Sequence, residues 1–556
     1  MVNVVTCVLG HLISFINCSC LICLEKSDRL CIFALANLKR APLYERQALF
    51  ASCECIYTQQ LKPKINILFL IIMKKLFLFA AMLSMALFAK AQQGPVLQIE
   101  GGQIQGVKAD DHPDVYVYRG IPYAAPPIDD LRWKAPQPVI PWKGVKICDT
   151  FGHPSYQAVH YPGGYTTEWG YGKEAPYSED CLYLNVWTKA PGDVNKKLPV
   201  ALWIHGGGLR EGWGTEPEFD GQEWGNKDVV LVSINYRLGI FGFISHPELS
   251  KENPKGVSGN YGILDQIESL KWIKKNIAQF GGDPDNVTIF GQSAGGRSVR
   301  ALVESPLARG LFHKAVIMSA GGVSVENNGA VVPAGPFVPL TLAQAEATTK
   351  KVMDWAGLTD LSKMRKASTE TLFALSTVYS GVTGERVTLP QGLILDGYVC
   401  VKSFDDAARE GALADVPYMI GFTQHDMGDM SIGIAEFGRI REAKGGKAWG
   451  YQFARPLPDD GSHPEVTSRL KGAFHSSDLW FVFKSLKHCW RPWTKGDWDL
   501  SEKMLTAWTN FAKYSNPNGP KDGVWKPLTK KDPSFMVFKL DQNDAEASEF
   551  GQPVKK

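Results

Sequence analysis

Two spacings of apolar residues alternate along this chain. Pro199 to Ile204 and Val229 to Ile234 are apolar at nearly every position and too short for surface helices, so they predict strands buried on both faces. Between Ile263 and Phe280 the period changes. Leu264, Ile267, Leu270, Ile273, Ile277 and Phe280 recur every three or four residues, as on an amphipathic helix facing a sheet. A short strand over 287–290, a helix after it and an apolar run from Lys314 to Ser319 continue the alternation. Pro417 to Ile420 and Ala448 to Phe453 predict two further strands, and Ser501 to Tyr514 another helix. Such a succession implies an α/β fold, a central, mostly parallel sheet flanked by helices. Ahead of it, residues 94–127 alternate apolar and polar positions around glycines, which predicts a small N-terminal antiparallel sheet.

No repeat, low-complexity tract or linker divides residues 92–556, which read as a single domain. The preceding text differs in kind. Met73, Lys74 and Lys75, the apolar run Leu76 to Phe88 and the small-x-small site Ala89, Lys90, Ala91 form a secretory signal over 73–91. Joining it to Ile65–Ile72 as a membrane span would bury two lysines mid-segment, at roughly 2.5 kcal/mol or more each. No stable span is therefore expected. Synthesis is expected to begin at Met73, with residues 1–72 a non-native upstream extension, and the product to be secreted or periplasmic after cleavage near Ala91.

Composition changes the picture in one respect. The whole chain carries +3, but residues 1–91 hold 10 Lys and Arg against 4 Asp and Glu, which leaves 50 against 53, net −3, for residues 92–556. That gives no case for nucleic acid as a partner. Seven of the eleven cysteines lie in the first 55 residues, with no His or Cys set spaced to close a zinc site, so no metal is expected.

The candidate chemistry is concentrated at Gly291, Gln292, Ser293, Ala294 and Gly295, between the strand at 287–290 and the following helix. A G-x-S-x-G corner in that context holds the serine in a strained turn that needs neighbours without side chains, and turns its hydroxyl outward over the sheet edge. Ser293 is thus a candidate nucleophile, which needs a base, usually histidine, oriented by a carboxylate. Serine, acid and histidine follow in that order in this fold class. A base in the loop after the strand at 448–453 would be His463, His475 or His488, and the acid after the preceding strand would be Asp426 or Asp429. HGGG at His205 to Gly208 follows the strand PVALWI and is suited to supply N–H donors to an oxyanion, with Ala294 as their partner. Neither phosphate-binding glycine motif occurs, so the loop is not read as a nucleotide cradle.

These stretches resemble the type-B carboxylesterase family, which includes the cholinesterases, from about Gly106 to Pro527. The resemblance is carried by YRGIPYAAPP at 118–127, SEDCLYLNVW at 178–187, WIHGGG at 203–208, INYRLGIFGF at 234–243, GNYGILDQ at 259–266, FGGDPDNVTIFGQSAGG at 280–296 and GAFHSSDLWFVF at 472–483. It implies an α/β-hydrolase fold and hydrolysis of small-molecule esters through an acyl-enzyme, without cofactor. By motif, Ser293 matches the nucleophile, His475 the base, Asp426 the acid, and Gly207, Gly208 and Ala294 the oxyanion donors. Arg119 with Glu179 and Arg237 with Asp265 match structural salt bridges, and Ser319 a serine supporting the acid. Cys181 matches one half of a disulfide whose partner position here is Ser155, which leaves a bond from Cys148 to Cys181 as the expectation. Gln292 stands where cholinesterases carry glutamate, and only 49 positions separate Asp426 from His475. Both departures imply an open pocket without cation selectivity. A non-catalytic binding protein, or the same chemistry on amides, thioesters or acylated carbohydrates, are the alternatives. Trp169, Trp213, Trp480 and Trp490 are candidates both for lining the pocket and for ordinary packing.

Overall fold

The strands predicted from all-apolar runs form one twisted sheet, and the antiparallel prelude joins its edge. A computed structural model describes residues 73–75, 92–172, 176–327, 330–332, 339–376, 378–379, 386–387 and 389–540. The upstream extension and nearly all of the signal segment lie outside these residues. Gln92–Lys556 is one compact unit, and among the described residues no helix is long and apolar enough to cross a membrane.

Among the described residues the sheet has twelve strands: β1 (Gln93–Ile99), β2 (Gly102–Lys108), β3 (Tyr116–Pro122), β4 (Val145–Ile147), β5 (Tyr183–Thr188), β6 (Leu198–Ile204), β7 (Val230–Ile234), β8 (Gly282–Gln292), β9 (Lys314–Met318), β10 (Tyr418–Thr423), β11 (Ala448–Phe453) and β12 (Met536–Phe538). Their spatial order is β1-β2-β3-β5-β7-β6-β8-β9-β10-β11-β12, with β4 beside β2. Neighbours from β1 through β2, β3 and β5 to β7 are antiparallel, and every pairing from β7 to β12 is parallel. The helices that matter below are α1 (Tyr165–Glu168), α2 (Tyr261–Asn276), α3 (Ala294–Glu304), α4 (Ser431–Ala443), α5 (Leu479–Val482) and α6 (Lys495–Tyr514).

Alternation along β6 shows why these runs must be central. Val200, Leu202 and Ile204 pack into one core layer with Ile267 and Leu270 of α2 and Leu302 of α3. Ala201 and Trp203 face a second layer with Met504, Trp508 and Phe511 of α6. Successive side chains point to opposite faces of a strand, so a strand covered by helices on both sides is apolar throughout. Each fully buried large side chain contributes about 1.5–3 kcal/mol.

Parallel register aligns the strand ends. Ile204 pairs with Gly291, Gln292 with Met318, Met318 with Gly421 and Thr423 with Phe453. The segments that leave β6, β8, β10 and β11 therefore emerge along one edge, where ligands bind in open α/β sheets.

Candidate active site

At the end of β8, Ser293 adopts φ 55° and ψ −119° before α3 begins. Its N–H donates to the Met318 carbonyl at 2.9 Å, which anchors the corner to β9. The flanking glycines are required by close approach. A Cβ on Gly295 would stand 2.0 Å from the Ile204 carbonyl oxygen, and one on Gly291 would stand 2.6 Å from Gly295. Strain of this kind costs on the order of 1–3 kcal/mol and persists only where packing over-determines it.

The loop leaving β6 packs directly against that corner. A Cβ on Gly206 would stand 3.4 Å from Ser293 Cβ. Gly207 and Gly208 have φ of 91° and 67°, and a Cβ on Gly207 would collide with the Glu211 carbonyl at 2.0 Å. The Gly207 carbonyl accepts from the Arg210 and Glu211 N–H groups, both at 3.0 Å, which closes the turn. Among the described residues, the N–H groups of Gly207, Gly208 and Ala294 donate to nothing. Tyr236 supports the loop from beneath by donating to the His205 carbonyl at 2.8 Å. Burial holds His205 itself far below the usual imidazole value, at about 3, so its ring stays neutral.

Asp426 lies three residues beyond β10, and its buried carboxylate meets His475 Nδ1 at 2.5 Å. Burial alone would raise its carboxyl. The bond and charge of His475 and the bond from the Met427 N–H outweigh burial and hold it below the ordinary carboxylate value, while the buried Ser319 hydroxyl has no hydrogen-bond partner among the described residues. Thr423 N–H and Oγ1 each donate to Asp426 Oδ2 at 3.1 Å. His425 ties the two loops together: its N–H donates to the Ala473 carbonyl at 2.9 Å, and its Nδ1 accepts from the Ala473 N–H at 3.1 Å. His475 Nε2 faces Gln292 Nε2 at 3.3 Å, and among the described residues no hydrogen bond joins Ser293 Oγ to the ring. Catalytic hydrogen bonds are often long or poorly aligned before substrate binds.

With this geometry in hand, the chain was compared with known proteins. It matches the profile of the carboxylesterase family over residues 93–437 and 428–554. The chain belongs to the carboxylesterase family. It is 36% identical over 387 residues to a fumonisin B1 esterase of Sphingopyxis macrogoltabida, an alignment spanning 68% of this chain and 66% of that one. It is 36% identical over 470 residues to the para-nitrobenzyl esterase of Bacillus subtilis strain 168, over 76% and 91% of the two chains. Among solved structures, a PNB esterase superposes with TM-score 0.65 at 27% identity, covering 80% of this chain and 95% of its own. The Geobacillus stearothermophilus carboxylesterase Est55 does so with TM-score 0.64 at 28% identity, covering 80% and 96%. Membership makes the chain a carboxylic-ester hydrolase with the α/β-hydrolase fold.

Within this carboxylesterase the expected supports are partly rearranged. Arg237 pairs with Asp265 through bonds of 2.8 and 2.6 Å in a buried fork. Glu179, however, pairs with Arg132 at 2.7 and 2.6 Å, not with Arg119. Arg119 lies at an irregularity between β3 and β5, with its guanidinium 5.1 Å over Phe151 and one bond of 3.3 Å to the Asp149 carbonyl. The expected Cys148–Cys181 disulfide is absent, and both are buried free thiols. Ser155 Oγ, at the family's partner position, accepts from the Leu238 N–H at 3.1 Å, while burial pushes the Cys148 thiol up to about 12. His463 packs on Trp490 at 4.3 Å between ring centres, and His488 meets Asp220 at 3.2 Å. Asp429 accepts from the Ser431 N–H at 2.9 Å at the start of α4. Trp169 packs on Trp480, and Trp213 on Tyr171.

Two residues near the site escaped sequence reasoning. Tyr165 of α1 donates to the His475 carbonyl at 2.9 Å, and nothing in its local sequence signals this. Asp478 accepts from Tyr451 at 3.1 Å, and its Oδ1 is buried without a partner. Burial, reinforced by the charge on Asp426, raises its carboxyl to about 7. Its place three residues after His475 could have drawn attention to it.

Proposed function

We propose that this carboxylesterase cleaves its ester through an acyl-enzyme, with Ser293 as nucleophile, His475 as general base and then acid, and Asp426 as the group that orients His475. The observation that carries this reading is the 2.5 Å contact between His475 Nδ1 and a buried Asp426 beside the strained Ser293 corner. A carboxylate acceptor fixes the proton on Nδ1 and leaves Nε2 as the lone pair. His475 takes the Ser293 proton as Oγ bonds to the ester carbonyl carbon. The oxygen then becomes an anion held by the N–H groups of Gly207, Gly208 and Ala294, each such donor being worth about 10²–10³-fold in rate. His475 Nε2–H protonates the departing alcohol, and water repeats the sequence on the acyl-enzyme. Ser319, the residue after β9, is assigned to the support of Asp426 by its motif alone.

The relatives named for a fumonisin and for a para-nitrobenzyl ester support small-molecule carboxylic esters as the substrate class. Gln292 adds no charge that would favour a cationic alcohol. Export is part of the same proposal, on the strength of the 73–91 pattern, and places the enzyme outside the cytoplasm after cleavage near Ala91. The test is hydrolysis of p-nitrophenyl acetate by Ser293→Ala. Turnover should fall at least about 10⁴-fold with the fold intact, and near-wild-type activity would remove Ser293 from the mechanism.

A further inference from the structure

We infer that Tyr165 is a positioning residue for the proposed reaction: its hydroxyl holds the His475 carbonyl, and with it the strained turn that carries the imidazole. This role rests on those of Ser293 and His475 given above.

The backbone on the two sides of His475 is held by different means. Before it, Ala473 exchanges hydrogen bonds with His425, and Phe474 forms a parallel bridge with the same residue. After it, Ser476 adopts φ 78°, a left-handed conformation that is costly for a residue with a Cβ and persists only where its surroundings enforce it. The turn's own bonds run from the Ser477 N–H to the Phe474 carbonyl at 3.0 Å and from the Leu479 N–H to the Ser476 carbonyl at 3.1 Å. They skip the His475 carbonyl. Among the described residues no N–H reaches that oxygen, whereas the Tyr165 hydroxyl donates to it at 2.9 Å. A carbonyl only accepts, so the direction of this bond is fixed.

Tyr165 is itself held by the segment it supports. A helix of one turn is not stable alone, so the place of α1 is set by its tertiary contacts. Glu168, at its end, is buried and receives three bonds from Arg491 at 2.9, 3.0 and 2.7 Å. Trp480 Nε1 of α5 adds a fourth at 3.2 Å. Because α5 follows directly on the His475 turn, this clasp ties α1 to the segment that bears the base. The Tyr165 ring stacks on Trp169 at 6.0 Å between ring centres and meets Phe474 edge-on at 6.1 Å. These contacts belong to the ring and survive removal of the hydroxyl.

The consequence falls on geometry. Asp426 fixes the rotation of the imidazole through Nδ1, but the position of the ring follows its own Cα and the peptide after it. Without the hydroxyl that peptide loses its donor and the left-handed turn is free to relax, carrying the ring with it. A displacement of about 1 Å at a catalytic group costs up to about 10²-fold in rate. The loss should appear in turnover rather than in substrate affinity, because Tyr165 acts through His475.

The test is a double-mutant cycle on the full-length protein: wild type, Tyr165→Phe, His475→Ala and the double variant, each checked for a cooperative thermal transition. The readouts are kcat and KM for p-nitrophenyl acetate and the rate of fluorophosphonate labelling. Tyr165→Phe should lower kcat and the labelling rate by about three- to tenfold, the rate equivalent of one neutral hydrogen bond, with KM within about twofold of wild type. Added to His475→Ala, the same substitution should leave the residual labelling rate unchanged. Tyr165→Leu carries the cycle if the phenylalanine variant does not fold. Wild-type kcat in folded Tyr165→Phe, a change confined to KM, or equal slowing with and without His475 would overturn the role of Tyr165. Folded wild type that neither labels nor hydrolyses, or labelling that is not slowed in His475→Ala, would instead overturn the reading on which it rests.

Discussion

Asp426 and Asp429 sit three residues apart on one loop, and their surroundings give them different work. Asp426 is buried against His475, whereas Asp429 accepts from the Ser431 N–H at the start of α4. Asp426→Asn should lower kcat by about 10⁴-fold, because the amide misorients His475 or selects the wrong tautomer. Asp429→Asn should stay within about tenfold of wild type in kcat and cost at most about 1 kcal/mol in stability, the scale of a helix cap. Steady-state kinetics and urea unfolding of the two variants check both. Asp478 gives a pH signature. Its folded value of about 7 lies above that of an unfolded aspartate, so the folded state holds the extra proton and stability from this group declines as pH rises from about 4 to 7. Asp478→Asn should flatten that decline in melting temperature measured across the window. At this scale the Ser293 corner was legible because glycine spacing reports a backbone constraint directly. The Gln292–His475 contact was not, since 183 positions separate the two residues.

Elements were legible where their period was unambiguous. β6, β7, β9 and β11 lie within a residue of their expected bounds, since burial on both faces demands an unbroken apolar run. The C-terminal helix starts at Lys495 rather than near Ser501, because Thr494 and Asp497 form a capping box that the apolar period does not report. β11 is not the last strand of the sheet. β12 is three residues long, too short to show a period, and pairs outside it. The choice of arginine partner for Glu179 was likewise illegible, because Arg119 and Arg132 both precede it and only packing separates them. Arg132→Met should cost about 3–5 kcal/mol in urea unfolding, since it leaves a buried Glu179 unpaired. Arg119→Met should cost about 1 kcal/mol or less, the scale of an exposed cation–π contact.

For the molecule as a whole, one property organises the rest: five parallel strand ends on one edge, with the HGGG loop, Ser293, Ser319, Asp426 and the segment bearing His475 leaving β6, β8, β9, β10 and β11 in spatial order. Chain order and parallel succession were enough to anticipate that edge. They could not anticipate covalent state, because a bond depends on where two thiols end up in space. The four cysteines beyond residue 91 are thiols, so alkylation of the denatured, unreduced mature protein should add four groups by intact mass. A sum two groups short would restore the disulfide.

The central claim is that Ser293 is an activated nucleophile on that edge, and the most direct measurement is intact mass and peptide mapping after exposure of the folded enzyme to a fluorophosphonate. One adduct on Ser293, slowed in His475→Ala and absent in Ser293→Ala, is the predicted result. A folded protein that takes up no adduct, or takes it up at another residue, would contradict the account.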